Sequence, residues 1–171
     1  STNDRGNTLG SATAAAGTVI LADVNDNKDL GFSSFDIAGV GATGVTINVT
    51  GGAGRTELRE VLMNAGDVLN ITGDDELAFE ESNSGMGGTV NITGATVEVA
   101  ASEAIGSADV NVDGGALRVW TANGLDGTGT VTVTGDGYVR SEHADNLIGA
   151  DIVLNNGGGI RLEVGGANEF H

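Results

Sequence analysis

Apolar and polar side chains alternate through short stretches of this chain. Val45, Ile47 and Val49 fall on one side and Thr46, Asn48 and Thr50 on the other, and Val110 and Val112, then Val131 and Val133, repeat the arrangement. A period of two over about five residues predicts a strand with one buried face. After a glycine and a short turn, a second apolar column follows at Leu77, Val97, Leu117, Val139 and Ile160, with Leu58 as a candidate first member. A third, weaker anchor precedes the strand at Ile105, Leu125 and Leu147. Residues 56–65 read either as a two-turn helix stopped by Gly66 or as a long second strand.

The stretches recur at a steady interval. Asn48-Val49-Thr50-Gly51 returns as Asn70-Ile71-Thr72-Gly73, Asn91-Ile92-Thr93-Gly94, Asn111-Val112-Asp113-Gly114 and Thr132-Val133-Thr134-Gly135, and ends degenerately at Val153-Leu154-Asn155-Asn156. Each step is about 21 residues, a period at which self-similarity marks a repeat architecture. Short strands with glycine corners at one period describe the coils of a β-solenoid, each coil a unit that buries its apolar face only against its neighbours. At about 4.8 Å per rung, six coils over residues 45–171 make a rod of roughly 25–30 Å. A β-sandwich has strands at comparable intervals without an internal repeat, and helical periodicity is almost absent.

The strings Ile105-Gly-Ser-Ala-Asp-Val-Asn-Val-Asp-Gly-Gly-Ala-Leu-Arg-Val119 and Gly127-Thr-Gly-Thr-Val-Thr-Val-Thr-Gly135 resemble the passenger repeats of autotransporter proteins. The likeness is best over 88–164 and weaker over 45–87. It implies an all-β, right-handed parallel β-helix displayed outside a Gram-negative-type bacterium, and it brings no catalytic residue with it. Residues 1–44 stand apart from the repeat and read as an N-terminal cap, with a strand at Thr18–Ala22 and Phe32, Phe35, Ile37 and Val40 closing the first coil. At the other end Ile160–Val164 is still in pattern and no cap is evident. Two expectations follow with equal weight: a piece of a longer helix, or an end that docks on another subunit.

Composition narrows the function. The chain holds 30 glycines, no proline, no cysteine and a net charge of −17. Proline is barred where an interior strand must donate amides along the stack. Without cysteine there are no disulfides, thiol nucleophiles or cysteine-ligated zinc. Seven basic against 24 acidic side chains repel a phosphate backbone, which argues against nucleic acid. The longest aliphatic run, Val19–Ala22, is far too short for a membrane span. Residues 1–16 carry no signal pattern, as expected of a mature chain.

Three groups of residues are candidates for chemistry. Asp23, Asn25, Asn27 and Asp29, with Asp36 nearby, offer oxygen ligands of the kind Ca²⁺ prefers, but a solvated Asx-rich turn is the simpler explanation. Arg118, Arg140 and Arg161 each follow a member of the second column and should stack on one outer face, with Glu98 and Arg59 in earlier coils. Such a column suits the carboxylates of an acidic polysaccharide, while Glu98, Glu142 and Glu163 stand ready to balance it. Asp74, Asp75 and Glu76, with Glu80 and Glu81, form an acidic corner of the kind some polysaccharide-degrading β-helices use, but in one loop only. His143 and His171 lack metal-ligand spacing, and the Asn-x-Thr triplets at Asn48, Asn70 and Asn91 follow from the repeat itself. The expected function is therefore non-catalytic: an extracellular structural or adhesive solenoid, displayed singly or joined end to end into a filament or coat. The alternative is a module that binds or degrades acidic polysaccharide through the arginine column.

Overall fold

The computed structural model describes residues 7–24, 29–52, 54–142 and 149–162. In chain order the strands are β1 (Asn7–Thr13), β2 (Val19–Asp23), β3 (Leu30–Asp36), β4 (Val45–Thr50), β5 (Arg55–Leu62), β6 (Val68–Gly73), β7 (Glu76–Phe79), β8 (Thr89–Thr93), β9 (Thr96–Val99), β10 (Asp109–Asp113), β11 (Ala116–Val119), β12 (Val131–Thr134), β13 (Tyr138–Ser141), β14 (Ile152–Leu154) and β15 (Gly159–Leu162). Odd-numbered strands form one parallel sheet of eight and even-numbered strands a second of seven. The only helical element among the described residues is a single 3-10 turn at Gly41–Thr43. The protein is an all-β parallel solenoid of about seven turns, and eight strands at the usual spacing make a rod of about 34 Å.

The core lies between the sheets and is built from stacked inward columns. Ile47, Ile71, Ile92, Val112 and Val133 sit one above another, each buried. Across from them Leu77, Val97, Leu117 and Val139 stack in register, followed by Ile160. Met86, Ile105 and Leu125 fill the third side from loops and are fully buried; Leu147, expected beside them, lies outside the described residues. Fully burying an aliphatic side chain stabilises by roughly 1.5–3 kcal/mol, so the columns are the main favourable contribution to the fold.

Stacking begins earlier than the sequence repeat. β1, β2 and β3, from the segment set apart in the sequence, enter the same two sheets in continuous register with the later strands. Their coils are longer than the later ones, with Val19 paired to Thr46 and Leu30 to Thr56. The strands also bend. Phe32 and Phe35 both point inward, with rings 5.7 Å apart, while Ser33 and Ser34 between them do not. Leu58 and Val61 of β5 repeat this around Arg59 and Glu60, so these strands turn a corner that later coils make with loops.

Register differs from the sequence alignment at two places. Asn70 pairs with Thr46 rather than Asn48, and the member of the second column before Leu77 is Thr56 rather than Leu58. Residues 56–62 belong to a long strand, and the helical alternative for this segment falls away. The turn after β5 is fixed by Asp67, a buried carboxylate that accepts the amides of Gly39, Gly41 and Asn64 at 2.7–2.9 Å. Burial works against its charge, but the three amides outweigh it and hold the carboxyl below its usual pKa. The corner beside it is closed by buried Asn83, which accepts the Val61 amide at 2.7 Å and donates to the carbonyls of Glu81 and Ala104. At Gly73, φ is 117°, and a Cβ there would run into the Val49 carbonyl oxygen of the coil below. Just past β12, Gly135 takes φ 59°; the matching place one coil later is filled by Asn156 at φ 44°, the side chain that best tolerates it after glycine.

Candidate binding face

The outer surface of the odd-numbered sheet carries three columns. The first contains Arg55, Glu76, Thr96, Ala116, Tyr138 and Gly159. The second contains Glu57, Ala78, Glu98, Arg118, Arg140 and Arg161, so the three arginines expected to share a column do share one. Arg59 does not join them. It lies two positions along the strand, in a third column with Glu80, Ala100, Trp120 and Glu142, because Thr56 rather than Leu58 aligns with Leu77.

Charges alternate across these columns and close into one lattice. Arg118 forms a two-pronged pair with Glu142, its Nε and Nη2 donating at 2.7 and 3.0 Å, while Nη1 donates to Glu76 and lies 3.5 Å from Glu98. Glu98 also accepts from Arg55 at 3.0 Å, and Arg55 reaches Glu57 and Glu80 at 3.1 and 2.7 Å. Arg59 lies 3.8 Å from Glu57, and Arg140 lies 2.9 Å from Glu142. Glu98 and Glu142 each keep only 8% of their side-chain exposure. Arg118 and Arg55 therefore reach past one coil into the next, about 9.6 Å at two rungs, which a long side chain spans.

Protonation follows from this packing. The hydrogen bond from Arg118 leads the causes that hold the Glu142 carboxyl below its usual pKa. Arg118 itself is raised, first by Glu142. Burial disfavours the charge on Arg55, but Glu80, Glu57 and Glu98 outweigh it and raise it. Glu76 and Glu80 are pushed up, because burial and their carboxylate neighbours exceed the pull of the arginines.

Two aromatic side chains complete the face. The Arg118 guanidinium lies over the Trp120 ring, 5.8 Å from its centroid, and Arg161 lies 4.1 Å from the Tyr138 centroid. Trp120 remains 51% exposed. The sequence had singled out neither Trp120 nor Tyr138 nor Arg55; only an aromatic at an outward position in or just past the second strand marks the first two.

The even-numbered sheet faces out differently. Its middle outward column runs Val19, Thr46, Asn70, Asn91, Asn111, Thr132 and Val153. Asn91 Nδ2 donates to Asn70 Oδ1 and Asn111 Nδ2 to Asn91 Oδ1, both at 2.9 Å, so two of the Asn-x-Thr asparagines are engaged in an amide ladder.

The remaining candidates lie away from this face or are engaged singly. Asp23 ends β2, Asp29 accepts the Arg55 amide at 3.3 Å and Asp36 accepts the Ala38 amide at 2.9 Å. Asn25 and Asn27 lie outside the described residues, as do His143, Glu163 and His171. Among the described residues no three His, Cys, Asp or Glu side chains are grouped to hold a metal ion. The acidic corner is divided: Asp75 accepts the Gly52 amide, and Glu76 and Glu80 turn to Arg118 and Arg55. No helix among the described residues is long and apolar enough to cross a membrane. No protein-family model, curated protein or solved structure matches the chain.

Proposed function

We propose that the protein is a non-catalytic structural solenoid of a bacterial surface, related in kind to autotransporter passengers, whose copies join end to end into a filament or coat. One observation carries this reading: exposed large apolar side chains concentrate on the terminal strands. Leu9, Val19 and Leu21 (77% exposed) lie on β1 and β2; Val153, Leu154 and Ile160 lie on β14 and β15; elsewhere among the described residues only Leu62 and Trp120 are comparable. Among the described residues, the outermost strand of each sheet pairs on one side only, and such an edge is a template for adding another strand. The middle outward column turns from Thr and Asn to valine at both ends, so copies stacked in line would bring apolar side chains together. The acidic remainder of the surface opposes side-by-side association.

The arginine column supports acidic-polysaccharide binding less well, since the Arg118 fork is filled by Glu142 and Glu76. Electron microscopy of the purified chain, with and without millimolar calcium, tests the assembly. Filaments are expected, with an axial repeat near the rod length, and both Leu21→Asp and Leu154→Asp should return them to single particles. Single particles from the unaltered chain at every protein concentration would overturn the reading.

A further inference from the structure

The lattice face is electrically unlike the rest of the molecule. Arg55, Arg59, Arg118 and Arg140 meet Glu57, Glu76, Glu80, Glu98 and Glu142, and Arg161 stands on the same face against Tyr138, so five positive charges face five negative ones. The remaining sequence holds two basic and nineteen acidic side chains, so the whole net charge of −17 lies off these ten residues. A polyanion finds no surplus of positive charge on the face, and a polycation would be drawn to other surfaces. What the face presents is hydrogen-bonding groups of fixed direction flanked by aromatic rings.

Trp120 is the centre of this arrangement. Arg118 covers one face of the indole and is itself held by Glu142 and Glu76, so the ring is braced while half its surface stays open. Its neighbour one coil below is Ala100, too small to cover it. Tyr138 stands one strand up and four positions back along the sheet, half-buried, with Arg161 against its ring. The backbone positions of the two aromatics are about 14 Å apart, with Arg118 and Arg140 between them. Aromatic side chains with an apolar body and a polar rim are the usual anchors of such surfaces, and a rigid strand-borne site loses little freedom on binding.

We propose that this face binds an uncharged polysaccharide laid diagonally across β11 and β13, its sugar rings stacked on Trp120 and Tyr138 and its hydroxyls bonded along the arginine column between them. The partly exposed guanidiniums, each with five N–H donors, donate to ring and hydroxyl oxygens, and the carboxylates beneath them cancel the net charge. A repeating ligand matches a surface that is itself periodic. The proposal does not depend on end-to-end assembly, because the face lies along the side of the rod.

Trp120 is the one tryptophan in the chain, so its fluorescence reports on the site directly. Soluble galactomannan, xyloglucan and dextran are titrated against the protein, with polygalacturonate as the charged control. At least one uncharged glycan should shift the emission to shorter wavelength and retard the protein in affinity electrophoresis. Trp120→Ala should weaken the retardation about tenfold and Tyr138→Ala several-fold, while Trp120→Phe keeps most of it. Circular dichroism of Trp120→Ala should be unchanged, since the side chain is exposed. No response to any of the three uncharged glycans would overturn the proposal. So would a response to polygalacturonate alone that salt abolishes, which would make recognition electrostatic.

Discussion

The two sheets share one inner face and differ outward, and the difference shows what a parallel stack demands of its surface. Each outward position meets its equivalent at about 4.8 Å in the coils above and below. Asparagine accepts that neighbour without help: it donates with one atom and accepts with another, so Asn70, Asn91 and Asn111 bond directly to one another. Arginine has donors only. Arg118, Arg140 and Arg161 stack in register on the odd-numbered sheet because Glu142 pairs with the first two and Tyr138 lies beneath the third. A self-complementary column needs one residue type; a charged column needs partners from its neighbours.

What both sheets share should give the largest and most equal effects. Ile71→Ala and Leu77→Ala, one on each sheet and both fully buried, should each destabilise by about 2–5 kcal/mol in urea unfolding. A loss confined to one of them would mean that the sheets do not form a single cooperative core.

Breaking the charged face comes next. Glu142→Gln leaves a well-covered guanidinium without its two-pronged partner and should cost about 1–3 kcal/mol at neutral pH. The same variant tests the acid response. Glu142 and Asp67, both held below the usual carboxyl range, contribute stability that is complete above their unfolded pKa and lost as pH falls through the lowered value. Glu76 and Glu80 act oppositely, their contribution complete below the unfolded pKa and lost as pH rises through the raised value. Stability should therefore fall most steeply below the ordinary carboxyl range. Glu142→Gln should flatten that fall, and an unchanged slope would place its origin outside the lattice.

The amide face should prove cheaper to break. Asn91→Ala removes two half-exposed side-chain hydrogen bonds and should cost about 1 kcal/mol. Asn91→Asp should behave alike at neutral pH and recover in acid, when the carboxyl can again donate. Smallest of all, Arg161→Gln at an exposed position should change stability by less than about 0.5 kcal/mol.

The fold could be read from the sequence wherever coil length was constant. From Val68 onward the paired strands recur at a nearly fixed interval, and Leu77, Val97, Leu117, Val139 and Ile160 occupy the shared column that their spacing implied. Before that, three things hid the register. The coils are longer, the strands break alternation at Ser33–Ser34 and Arg59–Glu60, and a threonine, Thr56, takes an aliphatic place. The arginine column was legible for the same reason as the core. The balancing of that column by Glu98 and Glu142 was legible too, but the rest of the lattice was not, because Arg118 meets Glu76 and Arg55 meets Glu98 two periods away along the chain. Such pairs reflect side-chain reach across two coils, which a search at one period does not register. The exposure of Trp120 required the neighbouring Ala100 to be seen beside it.

The parallel register also sets how the rod bears force. The backbone hydrogen bonds between paired strands run broadly along the axis, slanted as in any parallel ladder, and successive coils are joined through both sheets. A push or pull spread over a whole end coil loads all the bonds of a rung together, and the rod behaves as a stiff strut. A pull on one loose chain end instead loads them in sequence, and the same rod unwinds a coil at a time.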